Sequence, residues 1–418
     1  MDNSYQYGLL PLDARDDDPR WRQYLDVFRL TLLDEPAGDA QLAFFRRNRR
    51  ADDARLAMIT TRTHVGDTVV GGCSSIVGRY NAGAEDAATL VINTIGVNPA
   101  HRRRGLLREL MTQQLQQAKA DGIPFATLSA SEATIYGRFG FAPSTRIGEV
   151  TIDVNKFKLR PTAPVAGGQV EWIEPGFLAE HVDRVTDAFH ARQLGSVRPY
   201  ARTKMEILGE WSGEAQGPAK KLRAVAHFDE SGQVDGFATF EHTGWEQPRR
   251  VKVFSLFGST LGVELALWQA LASMDLIGQL GFYTQPGDPL PLALTDERAM
   301  EIKDFGDWTW LRILDLPAAI AARSFERDGE VIVRVEDGLG LADGVWHITV
   351  LGGRGSAVTT DEAPHVALDI AELARIWESN DSPVALAHVG RVEGEPGAIR
   401  DFASLFYRAE PVRNLTGY

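Results

Sequence analysis

The sequence predicts an α+β protein of several domains, in which mixed sheets are flanked by helices. Its 418 residues are enough for two to four domains of ordinary size. Amphipathic helical stretches and β-branched runs alternate along most of the chain. The order helix, three strands, helix, strand occurs twice, as a similarity of element order and not of sequence. We therefore expect two domains of one type and a third of another type.

The first predicted domain covers residues 1–158. Apolar side chains from Trp21 to Leu32 have helical spacing, and Gly122 and Pro124 stop a longer helix further along the chain. In chain order we expect a helix over 19–33, a helix after Gly38, strands at Leu56–Thr61, Thr68–Ser74 and Leu90–Val97, a helix over about 104–121, a strand at Phe125–Ala130, a short helix at Glu132–Arg138 and a strand near Arg146–Val154.

A stretch rich in proline and glycine, Leu159–Gly168, predicts a linker. The second domain, 159–307, is expected to contain a helix over about 177–193, strands near Leu222–His227, Gly236–Phe240 and Lys252–Phe257, a helix at Val263–Gly278 and a strand near Phe282. From Trp310 the pattern changes to short alternating runs typical of antiparallel strands. The third domain, 308–418, is expected to have strands at Leu311–Leu314, Glu330–Val335 and Trp346–Leu351, with helices at about 317–324, 369–378 and 398–406.

Composition and charge narrow the possible functions. The net charge of −13 argues against a nucleic-acid binder, which usually carries a basic face. No run of about 18 apolar residues is present, so no membrane span is expected. Cys73, the single cysteine, fits a small core residue, and the nine histidines show no metal-binding spacing. Because the first residues also lack a signal-peptide pattern, we expect a cytoplasmic protein without a metal.

The most informative segment is Thr94–Pro143. A strand ending in Ile95-Gly96-Val97 runs into a basic turn that finishes at Gly105, where a helix begins. Free N–H groups at a helix N-terminus, with the positive end of its dipole, bind anions, and arginines add charge-assisted contacts. If a bulge splays the strand edge, its main chain can also pair with an extended, amide-bearing arm. Coenzyme A has both such an arm and a pyrophosphate.

Two other interpretations of this segment are weaker. A nucleoside triphosphate is disfavoured because neither G-x-x-x-x-G-K-[ST] nor G-x-G-x-x-G follows the strand. A bare Arg-Arg-Arg-Gly would be a solvated surface turn, but the flanking strand and helix favour a ligand site. The pattern V-x-P-x-x-R-R-x-G, which spans Val97–Gly105 here, closely resembles the cofactor signature of the GNAT acetyltransferase superfamily.

Tyr136 lies about one helical turn after Glu132 in the segment Ser129–Phe141. A phenol with an ordinary pKa near 10 can protonate a departing thiolate, whose thiol has a pKa of roughly 8.5. A tyrosine at such a position can equally be a core residue with a satisfied hydroxyl. In combination with the arginine turn, the acid role is the stronger hypothesis.

Together these motifs resemble the enhanced intracellular survival (Eis) family of mycobacterial and actinobacterial acetyltransferases. The resemblance covers the whole chain in length and element order, and it is sharpest across Thr94–Pro143 and at the C-terminal end. It implies an N-terminal GNAT domain, a central GNAT-like domain without cofactor and a C-terminal sterol-carrier-like domain. It also implies acetyl-CoA as cosubstrate, amines of aminoglycoside- or polyamine-like molecules as acceptors, and a homo-hexamer.

The resemblance also implies roles for individual residues. Tyr136 would be the general acid, and the C-terminal carboxylate on Tyr418 would be the base. The main chain of Ile95, Gly96 and Val97 would bind the pantetheine arm of acetyl-CoA, and Ser131 and Glu132 would complete the pocket. The pyrophosphate would be bound by Arg103, Arg104, Gly105, Leu106, Leu107 and Arg108. This chain departs from relatives at Ser129, where they carry histidine, and at Gly417, where some have an acidic residue.

Three further points complete the expectations. The second unit has Phe257–Gly262 where an arginine turn would stand, which argues against a second cofactor site. The glycine-rich run Gly338–Gly344 lies between two strand runs and predicts a hairpin turn. A lipid or acyl-CoA binding protein, and an acetyltransferase of protein lysines or N-termini, remain alternative functions.

Overall fold

A computed structural model describes residues 4–244, 246–378 and 381–417. These residues fall into two compact units. The first unit contains residues up to 144, residues 308–409 and Gly417, and the second contains residues 145–307 and 410–416. The chain therefore leaves the first unit at Ser144 and returns to it at Trp308. The domain division 1–158, 159–307 and 308–418 stays a prediction.

The part of the first unit before Ser144 begins with a strand that the sequence did not predict. Asp18 caps the first helix by accepting the N–H of Arg20 at 2.9 Å, and Pro19 occupies its first turn. The elements are β1 (Tyr5–Leu9), α1 (Pro19–Thr31), α2 (Asp39–Ala51), β2 (Arg55–Thr63), β3 (Gly66–Asn81), β4 (Asp86–Val97), α3 (Leu106–Ala120), β5 (Phe125–Leu128), α4 (Ala133–Tyr136) and β6 (Ala142–Pro143).

The second unit has the predicted order of strands around a buried helix. Thr260 caps that helix by accepting the N–H of Val263, and most of its side chains are buried. The elements are β7 (Arg146–Asp153), β8 (Gln169–Ile173), α5 (Val182–Arg192), α6 (Ala201–Ile207), β9 (Arg223–Phe228), β10 (Val234–His242), β11 (Arg250–Gly258), α7 (Leu261–Ala272), β12 (Gln279–Thr284), α8 (Leu290–Ala293) and β13 (Met300–Asp307). In the described residues they form a sheet of order β13-β7-β12-β11-β10-β9-β8.

The remaining elements return to the first unit. They are β14 (Trp310–Ile313), α9 (Leu316–Ala322), β15 (Gly329–Glu336), β16 (Gly344–Leu351), β17 (Arg354–Thr359), β18 (Val366–Asp369), α10 (Ile370–Ile376), α11 (Pro383–His388), β19 (Val392–Gly394) and α12 (Pro396–Phe406). Within the described residues, five of these strands form a sheet of order β17-β16-β15-β18-β19. The predicted hairpin turn at 338–344 is confirmed, since β15 and β16 pair antiparallel on either side of it.

The strand predicted at Leu311–Leu314 has an unexpected partner. We expected it among the antiparallel strands of the third domain, but Trp310–Ile313 joins the sheet of order β1-β2-β3-β4-β5-β14-β6. There it pairs antiparallel with β5, with Trp310 opposite Leu128. The expectation was wrong because alternation in a short run identifies a strand but not its partner.

Helices cover both faces of this first sheet. An added Cβ at Gly71 would lie 3.3 Å from the Leu110 side chain of α3, and one at Gly72 would lie 3.0 Å from the Tyr24 ring of α1. Because successive residues of a strand point to opposite faces, α1 and α3 lie on opposite sides of β3. The predicted α+β class with mixed, helix-flanked sheets is confirmed.

Candidate active site

The site lies where β4 and β5 separate. The two strands pair in parallel only from Thr89 opposite Phe125 to Val91 opposite Thr127. Strand β4 then continues to Val97, whereas β5 ends at Leu128. A cleft of about 1270 Å³ opens beyond the paired part and is lined by residues of the first unit. The main chain at the end of β4 is thereby available to an extended ligand.

A β-bulge shapes this end of β4. Gly72 of β3 pairs with Gly96 and Ser74 pairs with Asn93, so two residues of β4 oppose the single residue between Gly72 and Ser74. Thr94, in the bulge, has a φ of 51°, which a non-glycine residue rarely adopts. The Arg49 guanidinium donates to the Thr94 hydroxyl at 2.9 Å. A bulge bends its strand and frees main-chain groups, as the proposed pairing with an amide-bearing arm requires.

Glycine is needed at position 96 for packing. A Cβ there would come within 3.0 Å of the Phe28 Cα and 3.2 Å of the Val27 carbonyl oxygen. The backbone of α1 therefore approaches β4 closely, and Phe28 and Thr31 of that helix form one wall of the cleft. The sequence had suggested Gly96 only as a main-chain ligand contact.

The turn after β4 presents unpaired backbone donors to the cleft. Arg103 has a φ of 61° and Gly105 a φ of 78°, both left-handed. Gly105 is the N-cap of α3 and offers no side-chain cap, so the first N–H groups of a 15-residue helix have no side chain to accept them. Such an N-terminus attracts anions through these donors and through the helix dipole.

Four guanidinium groups line the cleft, on Arg102, Arg103, Arg108 and Arg138. Over the described part of the chain none of the four has an acidic partner, although the protein carries a net charge of −13. Unpaired cations next to free helix N–H groups fit a multiply charged anion such as a pyrophosphate. Arg104 is different, because its guanidinium lies 5.8 Å from the centre of the Tyr5 ring and it does not line the cleft.

Tyr136 closes the cleft from the α4 side. It is 5% exposed, and its ring meets Phe141 edge-on, with 6.5 Å between the ring centres. Burial raises the pKa of the Tyr136 phenol above its ordinary value of 10.0, although a hydrogen bond with Ser131 acts in the opposite direction. The phenol is therefore protonated throughout the neutral range and can donate a proton.

Two polar side chains lie at the point of strand separation, of which the sequence analysis missed Asn93 and named Ser129 only as a departure from relatives. Asn93 is 9% exposed, and both it and Ser129 line the cleft. The Asn93 amide nitrogen and the Ser129 hydroxyl are buried and have no hydrogen-bond partner among the described residues. They are thus free to bind a ligand or a water. No sequence motif marks Asn93, because an asparagine inside an apolar strand has no distinctive spacing.

The structure brings most of the predicted site residues together. The cleft is lined by Ile95, Gly96, Val97, Arg103, Gly105, Leu106, Leu107, Arg108, Ser131, Glu132 and Tyr136. Arg104 is the exception noted above, and Tyr418 lies outside the described residues. Its neighbour Gly417 is next to Trp308, since a Cβ added at 417 would lie 2.8 Å from that ring. Trp308 shortly precedes β14, which pairs with β5 at the cleft.

In the second unit, the corresponding helix is α7, and residues of the chain itself occupy the space at its N-terminus. The Thr260 hydroxyl caps α7, and the N–H of Ala166 donates to the Gly262 carbonyl at 3.1 Å. A Cβ at Gly262 would lie 2.4 Å from the Pro164 carbonyl oxygen. The linker therefore packs directly on the position where a pyrophosphate would bind.

The described residues show neither a metal site nor a membrane-spanning helix. Residues 4–244, 246–378 and 381–417 contain no group of three or more His, Cys, Asp or Glu side chains that could hold a metal ion. In the same ranges, no helix is long and apolar enough to cross a membrane. Cys73 is buried, and burial raises the pKa of its thiol to about 12, so it is a core residue as expected.

Comparison with protein families divides the chain into three parts. A model described as an acetyltransferase (GNAT) domain matches residues 15–144, and a second model of that description matches residues 202–313. A sterol carrier protein domain matches residues 316–414. These matches confirm the predicted sequence of two GNAT-like domains and a sterol-carrier-like domain.

Individual relatives agree with this division. An uncharacterized N-acetyltransferase of Streptomyces griseus is 32% identical over 372 residues, which are 87% of this chain and 86% of that one. The N-acetyltransferase Eis of Mycobacterium tuberculosis is 30% identical over 311 residues, 73% of this chain and 74% of that one. The crystal structure of Eis1 from Mycobacterium abscessus has the same fold, with a TM-score of 0.80 at 24% identity, over 99% of this chain and 100% of that one.

Proposed function

The chain belongs to the Eis family of GNAT-superfamily N-acetyltransferases, and we propose that it transfers the acetyl group of acetyl-CoA to primary amines of small polycationic molecules. One observation carries the cosubstrate assignment. The N-terminus of α3, which has no side-chain cap, adjoins the separated end of β4, and Arg102, Arg103 and Arg108 beside it have no acidic partner among the described residues. The N-terminus of α3 suits the pyrophosphate of acetyl-CoA, and the free end of β4 suits its pantetheine arm.

In the proposed mechanism the acceptor amine first loses its proton and then attacks the thioester carbonyl carbon. The main chain of Ile95, Gly96 and Val97 holds the pantetheine arm and the acetyl carbonyl. As the carbon–sulfur bond breaks, Tyr136 donates its phenolic proton to the departing thiolate, and free coenzyme A leaves. The second proton that the nitrogen loses on becoming an amide returns the Tyr136 phenolate to the phenol, directly or through water. Ser131 hydrogen-bonds the phenol, and Glu132 supplies a carboxylate in the cleft. The negative charge of the protein as a whole favours cationic acceptors.

The base in this mechanism is the C-terminal carboxylate of Tyr418, by analogy with the family. A carboxylate with an ordinary pKa near 3.5 is ionised at neutral pH and can accept the amine proton directly or through a water. The preceding residue, Gly417, lies next to the Trp308 ring, two positions before β14. Residues appended after Tyr418 should abolish turnover and leave acetyl-CoA binding intact. Full turnover by a C-terminally tagged protein would instead assign the base role to a side chain such as Glu132.

Arg103→Ala is the direct test of the pyrophosphate turn. Loss of one charge-assisted hydrogen bond of about 1.5–3 kcal/mol should raise the dissociation constant for acetyl-CoA about 10- to 100-fold. Arg104→Ala is the matched control, since its guanidinium lies over Tyr5, and a smaller effect is expected. Acetyl-CoA affinity unchanged in Arg103→Ala would contradict the assignment of this turn.

Thiol release from acetyl-CoA, with spermidine or kanamycin as the acceptor, tests the reaction itself. Release that depends on the amine supports the proposal. A protein that binds acetyl-CoA or lipid but releases no thiol with any amine would support the alternative binding function. Release only with lysine-containing peptides would point to protein acetylation. A screen over many amines with the same assay would define the acceptor.

Two further properties are proposed, namely a cytoplasmic location, because a single cysteine fits a reducing compartment, and a homo-hexameric assembly, from the family alone. Light scattering at micromolar concentration tests the second of these. A mass near six times the 46.0 kDa of one chain is expected, and a stable monomer would refute it.

A further inference from the structure

The turn between β15 and β16, residues 337–343, reaches the cleft although it lies in the sterol-carrier-like part of the chain. Gly338 and Leu339 are among the residues that line the cleft. Leu339 is half-buried and packs against the same apolar cluster as Leu107 and Ile135, which also line the cleft. Part of the cleft lining therefore comes from residues more than about 230 positions beyond the arginine turn.

The carboxylate of Asp337 holds this turn in one shape. It accepts the backbone N–H groups of Leu339 at 3.0 Å, Leu341 at 3.0 Å and Ala342 at 2.8 Å. The Leu341 side chain is buried in the apolar cluster, and Lys119 of α3 donates to the Leu341 carbonyl. The turn is thus fixed both internally and against the helix that begins at the cleft.

A buried guanidinium connects the turn to the segment that carries Tyr136. Arg312 of β14 donates to Asp337 at 2.5 Å, and the two side chains are 0% and 2% exposed. On its other side the guanidinium fits against Gly140, where an added Cβ would lie 2.8 Å from it. Gly140, with a φ of 79°, ends the short helical segment that follows Tyr136. One side chain therefore contacts both the turn and the Tyr136 segment.

Neither side chain of the Arg312–Asp337 pair is accessible to water, so water cannot replace either partner. The Nε and Nη1 atoms of Arg312 have no hydrogen-bond partner among the described residues, so Asp337 is the carboxylate in direct contact with its buried charge, and Asp369 adds a weaker electrostatic attraction. Breaking a buried pair of this kind is costly, because removal of one partner leaves the other charge poorly compensated in the interior.

We propose that Leu339 contacts the bound cosubstrate and helps to set its affinity, and that the Arg312–Asp337 pair is the positioning element that holds Leu339 in the cleft. The inference rests on the proposed use of acetyl-CoA. It makes the sterol-carrier-like part a structural component of the cosubstrate site. Leu339 acts in binding, whereas Tyr136 acts in the chemical step, so variants of the two should affect different kinetic constants.

The test compares substitutions at position 339 with a control of similar size elsewhere. Leu339→Ala should raise the dissociation constant of coenzyme A and the KM for acetyl-CoA about 3- to 10-fold, with kcat nearly unchanged. Leu339→Met, which keeps the volume, should bind like the wild type. Leu386→Ala, buried in α11 and outside the cleft, should lower the melting temperature but leave coenzyme A binding within twofold.

Asp337→Asn tests the positioning pair, because it keeps the size of the side chain and removes its charge. The dissociation constant of coenzyme A should rise at least as much as in Leu339→Ala, with a lower melting temperature. Coenzyme A affinity within twofold of wild type in Leu339→Ala would overturn the inference while leaving the proposed function intact. A wild-type protein that binds no coenzyme A at millimolar concentration would overturn both.

Discussion

Tyr136→Phe separates the chemical role of the phenol from its role in packing. The substitution removes a single oxygen from a side chain that is 5% exposed and keeps the edge-on contact with Phe141. The lost hydrogen bond with Ser131 should cost about 0.5–1.5 kcal/mol of folding stability. If the phenol is the general acid, kcat should fall roughly 10²- to 10⁴-fold, which corresponds to about 2.7–5.4 kcal/mol in the activation barrier. The kinetic effect should therefore clearly exceed the effect on stability.

The assay measures kcat by thiol release at saturating acetyl-CoA and measures coenzyme A affinity by titration calorimetry. The variant should bind coenzyme A within about twofold of wild type. Tyr80→Phe is the matched control, because Tyr80 is 3% exposed, packs on Phe125 and lies outside the cleft. Its hydroxyl also has no hydrogen-bond partner among the described residues, so this variant should keep full turnover.

The pH dependence provides an independent check on the same residue. Because burial raises the pKa of Tyr136 above 10.0, the phenol stays protonated well into the alkaline range. This group should therefore cause no fall in kcat between pH 7 and about 9.5. A kcat for Tyr136→Phe within about threefold of wild type would refute the acid role. Equal losses in cofactor affinity and turnover would indicate that the hydroxyl serves the structure of the site.

Two further predictions concern stability. Arg413→Met should lower the unfolding free energy measured in urea titrations by about 1.5–3 kcal/mol, the value of one hydrogen bond between charged groups. Arg413 Nη1 lies 2.7 Å from Glu264 Oε2 and both side chains are buried, but Glu264 keeps its second partner, Arg192, in the variant. The exposed Arg62→Met should change nothing measurable, and a similarly small effect at Arg413 would contradict the reasoning. Burial raises the pKa of Glu378 from 4.5 to about 7, although the charge of Arg408 acts in the opposite direction. Between these two pH values the folded protein keeps a proton on Glu378 that the unfolded chain releases. The free energy of unfolding should therefore decline by about 3 kcal/mol as the pH rises from 4.5 to above 7. Glu378→Gln should remove that part of the decline in melting temperature, and an unchanged pH profile would exclude this source.

Local features of the site were predictable from the sequence because they depend on neighbouring residues. The strand, the arginine turn and the start of α3 lie within Ile95–Leu107, and a helix N-terminus next to basic residues binds anions in any fold. The sequence analysis required a bulge in this strand if its main chain was to pair with a ligand, and the structure has a bulge at Thr94. Arg104 could not be distinguished from Arg103, because the direction of each side chain depends on a turn that the spacing does not determine.

Features that depend on distant residues could not be predicted. Strand β1 was missed although its Tyr5 hydroxyl hydrogen-bonds His101 beside the arginine turn at 3.0 Å. The run at 310–313 was recognised as a strand, but its pairing with β5 is a tertiary contact. Leu339 belongs to a run that the sequence correctly indicates as a hairpin turn, and nothing local reveals that this turn lines a cleft. The residues of a turn determine its local conformation, whereas the contacts of the turn depend on tertiary packing.

The order of the chain explains why the site cannot be described by its N-terminal segment alone. The first unit stops at Ser144 and resumes at Trp308, so the second unit is inserted between β6 and β14. Because β14 lies between β5 and β6, residues that follow the insertion complete the sheet beside the cleft. The same stretch supplies Arg312, whose buried charge needs Asp337 from the next part of the chain. A fragment limited to the first GNAT-like domain would therefore lack β14, which pairs with β5, and the part of the cleft lining that Leu339 supplies. The sterol-carrier-like part thus supplies Gly338 and Leu339 to the lining of this cleft.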